Sequence, residues 1–149
     1  MEHSSDQLET AVLDELGIDV YSAYESERYF LSPEALHHIA LALIAEFFVG
    51  LLGVEAFGAA LREKLVGCMR TFRAREIGTA SYSDAGLMTE LLTDARRASG
   101  SADVLNREPE ATRELAAALV HFGMDPAVAQ QHAHRLATLL LDEVRRPPQ

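Results

Sequence analysis

The sequence contains few of the residues that build disulfide-linked, zinc-thiolate or nucleic-acid-binding proteins. Cys68 is its only cysteine, which excludes a disulfide or a cysteine-based zinc cluster within one chain. Tryptophan is absent, and the 149 residues include only five prolines. There are 13 Lys and Arg against 23 Asp and Glu, and the net charge of −10 argues against nucleic acid as a partner. A chain of this length forms one domain without such cross-links.

No targeting or phosphate-binding motif is recognisable. Residues 1–10 are polar and acidic, unlike a signal peptide. The longest apolar tract, residues 39–54, has 16 residues and includes Glu46, whereas a membrane-spanning helix needs about 20 apolar residues. Gly50-Leu-Leu-Gly53 lacks the lysine of a phosphate-binding loop. We therefore expect a cytoplasmic protein, and its abundance of alanine and arginine is typical of bacterial chains encoded in GC-rich genomes.

Charge is distributed unevenly along the chain. Residues 1–60 contain eleven carboxylates and one basic residue, Arg28, whereas residues 61–149 contain twelve of each. The whole net charge therefore lies in the first 60 residues. Such a segment is an acidic, solvated face, or it faces a basic partner or the chain's own basic stretch at residues 62–75.

The sequence does contain clear helical periodicity and helix-ending signals. Apolar residues recur at spacings of three and four in six segments, residues 5–16, 33–51, 54–75, 84–98, 109–122 and 126–145. Residues 18–31 fit either a helix or an extended segment, and no alternating strand pattern is found. The sequence therefore predicts an all-α protein. We expect a single domain over residues 1–149, a bundle of five or six helices, with flexible ends at residues 1–4 and 146–149.

The second predicted helix, residues 33–51, is the most apolar. Ser32-Pro33 is typical of an N-cap followed by the first helical residue. Apolar residues cover nearly the whole circumference of this helix, so we expect it to be central and the most buried. Glu46 is the charge within its apolar tract. It lies on a narrow solvent-facing strip, or it pairs with an arginine of the third helix such as Arg62 or Arg70.

Histidines are the first residues to consider for chemistry. Glu34 and His37 form a Glu-x-x-His pair, and metal sites in helical bundles use such a pair twice, whereas here it occurs once. His132 lies on the apolar stripe of the last helix, where a structural role at the edge of the core is expected. We predict no catalytic residue, no cofactor and no metal site. The candidate ligands, if a metal were bound, are Glu34, His37, His38 and His132.

Two features indicate contacts with other proteins. Small residues recur along the second and third helices, where they allow close packing either within the chain or between chains. Tyrosines cluster between residues 21 and 29, where they form an interface or hold a connecting segment against the core. The predicted interface comprises Tyr21, Tyr24, Tyr29, Phe47, Gly50, Gly53 and Phe57.

The function predicted from these features is a non-catalytic helical module for protein–protein interaction or regulation. Its expected partners are a second copy of the chain, in a homodimer or larger oligomer, another protein, or both. Two alternatives stay open. One is a membrane-active protein that shelters the tract at residues 39–54 until it is triggered. The other is a helical bundle that binds a metal or a small molecule.

Overall fold

The computed structural model describes residues 4–24, 32–77, 85–100 and 102–145. All regular structure in these ranges is helical, which confirms the predicted all-α class. Seven α-helices occur in the described ranges: α1 (Ser4–Leu16), α2 (Asp19–Tyr24), α3 (Pro33–Leu52), α4 (Ala59–Arg73), α5 (Ala85–Ala98), α6 (Glu108–Phe122) and α7 (Pro126–Arg145). Two short 3-10 helices, Val54–Ala56 and Ala102–Arg107, precede α4 and α6.

The helix count exceeds the predicted five or six because α2 is a separate helix within the ambiguous segment. The predicted third helix is also shorter at its start. Gly53, with φ of 87°, ends α3, and Phe57 has extended backbone, so α4 begins at Ala59. Ser4 is already helical, and the remainder of the predicted flexible ends lies outside the described residues.

Helix α3 supplies much of the core. Its start follows the local sequence, since the Ser32 hydroxyl oxygen accepts the Ala35 N–H at 3.1 Å. Thirteen of its 20 residues are buried, and it contacts α1, α4, α5 and α6. Gly50 is where α6 comes closest, because a Cβ there would lie 3.2 Å from the Cα of Ala111.

Helix α3 is also the one helix in the described ranges that is long and apolar enough to cross a membrane. In this fold, 72% of its apolar window is buried against the rest of the protein. The same length and composition are found in core helices of soluble proteins and in signal sequences, so this feature alone decides nothing about a membrane.

Arg75 joins the C-terminal ends of α2 and α6. It follows α4 with a φ of 64°, and its guanidinium donates hydrogen bonds to the carbonyl oxygens of Ala23, at 3.1 Å, and Phe122. The last carbonyls of a helix carry partial negative charge and lack partners within the helix, so a cation is favourable there. The same guanidinium lies 5.7 Å from the centre of the Phe122 ring, which stacks on Phe72. One arginine therefore fixes α2 against α6.

We expect Gly123→Ala to lower the free energy of unfolding by about 1–3 kcal/mol. The added Cβ would meet the carbonyl oxygen of Ala23 and the guanidinium of Arg75, at a φ of 120° that L-residues rarely adopt. Urea unfolding measures the loss. Gly100→Ala is the matched control, because a Cβ there meets nothing within 4 Å. Equal effects of the two substitutions would contradict the role assigned to Gly123.

Candidate functional site

An open cleft of about 480 Å³ lies between α3, α4 and α6, which is within the size range of ligand sites. Its apolar part is formed by Val49 and Gly50 of α3 together with Val66 and Met69 of α4. The absence of a side chain at Gly50 lets α6 approach α3 and leaves space above the contact. The charged lining residues are Glu46, Arg70, Arg73, Glu110 and Glu114.

The lining of the cleft includes a two-pronged ion pair. Arg73 donates from Nε to one oxygen of Glu46 at 2.7 Å and from Nη2 to the other at 2.9 Å. Glu46 is only 5% exposed, so this pairing compensates for the burial of its charge. The hydrogen bonds to Glu46 raise the pKa of Arg73, although burial acts in the opposite direction.

Glu46 therefore pairs with an arginine of α4, but with Arg73 rather than with Arg62 or Arg70 as the sequence suggested. Arg62 instead donates to the carbonyl oxygen of Phe57 at 3.2 Å. Arg70 is exposed at the edge of the cleft and makes no ion pair with the residues that the structure describes.

The two rims of the cleft differ in charge. Arg70 lies on the α4 side, and Glu110 and Glu114 lie on the α6 side. Glu114 is 3.5 Å from Arg73, whereas Glu110 has no ion-pair partner within the described part of the chain. An exposed cation and an exposed carboxylate thus face solvent across an apolar floor.

The four candidate metal ligands do not form one group of side chains among the described residues. Glu34 is exposed, and Nδ1 of His37 lies 2.7 Å from Glu9 of α1. His132 contacts carboxylates of α1 and α2. No group of three or more His, Cys, Asp or Glu side chains suited to a metal ion occurs within residues 4–24, 32–77, 85–100 and 102–145.

His38 is buried between α3 and α4. Its Nε2 lies 3.1 Å from the Thr71 hydroxyl and 3.2 Å from the Cys68 carbonyl oxygen. Burial lowers the pKa of His38, the hydrogen bond with the Cys68 carbonyl opposes that effect, and the neighbouring His37 adds to the lowering. The ring therefore favours its neutral form and links α3 to α4.

Cys68 behaves as a buried apolar side chain. Burial raises the pKa of its thiol, and the negative charge of Glu46 adds to the effect. Since the thiolate is the reactive form, this environment suppresses nucleophilic chemistry.

The predicted interface residues divide between core, turn and surface. Phe47 and Phe57 are 0% and 2% exposed, so the chain's own fold covers both rings. Gly50 packs against α6 and lines the cleft, and Gly53 ends α3. Tyr21 is 40% exposed. The side chain of Tyr24 and the whole of Tyr29 lie outside the described residues.

The sequence analysis did not predict the cleft as a site. Its lining comes from three helices, and only the fold brings Glu110 and Glu114 next to Met69. The available signal was weak: the two glutamates are four residues apart and therefore share one face of a helix.

Comparisons with known proteins identify no relative of this chain. No protein-family model, curated protein or solved structure matches the chain. The guide to its function is therefore the arrangement of its own residues.

Arg73→Met should lower the free energy of unfolding by about 3 kcal/mol, because it leaves the Glu46 carboxylate buried without its partner. Arg70→Met is the matched control, three residues earlier and exposed, and should change stability by less than about 0.5 kcal/mol. Replacing both partners, in Glu46→Leu/Arg73→Met, should restore part of the loss. Urea unfolding of the four proteins tests this, and equal effects of Arg73→Met and Arg70→Met would contradict it.

His38 should make the fold less stable in mild acid. Because burial holds the pKa of its imidazole below the ordinary value, the folded state binds a proton less readily than the unfolded state. The neutral His38 ring therefore makes its full contribution to the free energy of unfolding above about pH 6.5. This contribution decreases as the pH falls below that value. The urea midpoint of the wild type should drop more between about pH 7.5 and 5.5 than that of His38→Gln.

The control for this measurement is His134→Gln, at an exposed position of α7. It should keep the pH dependence of the wild type. A full acid-induced drop in His38→Gln would show that other groups are responsible.

Proposed function

We propose that this protein is a non-catalytic interaction module whose cleft between α3, α4 and α6 binds a helical segment of a partner protein. The observation that carries the proposal is the apolar floor between two rims of different charge. An amphipathic helix binds such a groove by placing its apolar face on the floor and its flanking charges on the rims.

The floor suits apolar side chains of varied shape. Val49, Val66 and Met69 are half-buried, so part of each side chain still faces solvent in the free protein. A methionine adapts its conformation to its contacts, which favours binding of irregular apolar surfaces. Burial of these side chains by a partner would supply most of the binding free energy.

The rims define the chemistry of the partner. Glu110 and Glu114 lie one helical turn apart, which places their Cβ atoms about 5–6 Å from each other. We expect basic residues at the same spacing on the bound segment. Arg70 on the opposite rim favours an acidic residue on the other flank. Arg73 is already engaged by Glu46 and adds little free charge.

The overall charge favours the same partner. A net charge of −10 attracts basic proteins at long range and accelerates their encounter. A second copy of the chain carries the same negative charge, so repulsion opposes self-association through this cleft. We therefore commit to a separate partner with a basic flank rather than to a homodimer.

Selection from a phage-displayed library of random peptides tests the proposal. Enriched peptides should carry apolar residues at helical spacing and Lys or Arg four residues apart. Met69→Glu should weaken their binding at least about tenfold, a change of 1.4 kcal/mol. Glu110→Arg should also weaken their binding. The control Glu63→Arg makes the same charge change at an exposed position of α4 outside the cleft, and it should leave their binding unchanged.

Two results would overturn the proposal. The first is that the selected peptides bind the Met69→Glu and Glu110→Arg variants as tightly as they bind the wild type. The second is that light scattering detects a dimer of the wild type and that Met69→Glu dissociates this dimer. The cleft would then hold a second copy of the chain.

A further inference from the structure

His132 of α7 connects the last helix with the first two. Its Nδ1 lies 3.2 Å from a carboxylate oxygen of Glu15 in α1, and its Nε2 lies 2.8 Å from a carboxylate oxygen of Asp19 in α2. The histidine is only 6% exposed. Arg135, one turn further along α7, donates to the same oxygen of Glu15 at 2.9 Å. Both nitrogens of one buried ring are thus engaged by carboxylates.

This arrangement fits the protonated ring. A neutral imidazole has one N–H donor, and its second nitrogen carries a lone pair. A carboxylate only accepts hydrogen bonds, so the neutral ring can satisfy one of the two carboxylates and turns a lone pair toward the other. The imidazolium donates from both nitrogens and gains two charge-assisted hydrogen bonds.

Few charged groups are in direct contact with this ring among the described residues. Besides α1, helices α5 and α6 pack against α7. The ion pair of α5 with α7 joins Arg96 to Glu143, eleven residues and about 16 Å further along the helix. No described side chain of α6 is paired with His132. Glu15 and Asp19 are therefore the carboxylates that the ring contacts, and Arg135 shares Glu15 with it.

The remaining contacts of α1 are mainly apolar. Leu8, Val12 and Leu16 are buried, and their burial does not depend on pH. Glu9 of α1 also contacts a histidine, His37 of α3. This contact is stronger when the His37 ring is protonated, so, like the His132 contacts, it holds α1 in place more firmly at lower pH.

We propose that His132 is a proton-dependent latch that holds α1 and α2 against α7. The latch is closed while the ring is protonated and weakens when the proton is lost. Opening uncovers the surfaces of α3 and α7 that the apolar face of α1 covers. This device is independent of the cleft between α3, α4 and α6.

Hydrogen exchange of the whole protein tests the latch. After correction for the intrinsic rate at each pH, the protection of amides in α1 and α2 should fall about tenfold from about pH 6 to pH 8.5, the effect of losing one charge-assisted hydrogen bond. Amides in the middle of α3 should show no such change. Ring ¹⁵N chemical shifts of His132 should report two protonated nitrogens at the lower pH.

Variants separate the latch from general effects of pH. His132→Gln should reduce the pH dependence and lower the protection at about pH 6, and the contact of Glu9 with His37 accounts for what remains. His134→Gln, the same substitution at an exposed position of the same helix, should behave as the wild type. Asp19→Asn, at a side chain that is 44% exposed, should also reduce the pH dependence without disturbing the core. Wild-type protection that is equal at both pH values, or a pH dependence that is as large in both His132→Gln and Asp19→Asn as in the wild type, would overturn the proposal.

Discussion

The fold depends on one constraint, which is that α3 has apolar side chains around nearly its whole circumference. A helix of this kind cannot lie on a surface in water, because each exposed apolar side chain forfeits the free energy of burial. Helices α1, α4, α5 and α6 contact it, and they bury Phe47 and Phe48 completely. The same requirement explains why 72% of the apolar window of this helix is buried against the rest of the protein.

The cleft is the place where this covering is incomplete. Glu46 interrupts the apolar surface of α3, and its carboxylate needs a cation that can reach a nearly buried position. Arg73 provides one by lying across the gap between α4 and α6, and Gly50 contributes no side chain to fill it. A buried ion pair seldom adds stability compared with an apolar pair of the same shape. The pair is instead part of the lining of the cleft, the surface that we propose binds a partner.

Local signals in the sequence predicted most of the helices, but not the contacts between them. The N-cap at Ser32 marks a helix start that the structure confirms, because caps act over a few residues. Helix α2 was ambiguous because six residues carry too little periodicity, and its ends are held by distant groups, Arg75 and His132. Periodicity identifies an apolar face but not what covers it. Phe57 was predicted to contact another protein, and in this fold the chain itself covers its ring.

The excess of acidic residues in the first 60 positions is partly compensated inside the molecule. Three explanations were open from the sequence: a solvated face, a basic partner, or pairing with the chain's own basic stretch at residues 62–75. The pair of Glu46 with Arg73 follows the third. The paired carboxylates of α1 and α2 instead contact histidines and Arg135, which counting Lys and Arg along the chain does not reveal. A histidine neutralises a carboxylate only while it is protonated. The charge that the N-terminal helices present to other molecules therefore depends on pH, and becomes more negative as the histidines lose their protons.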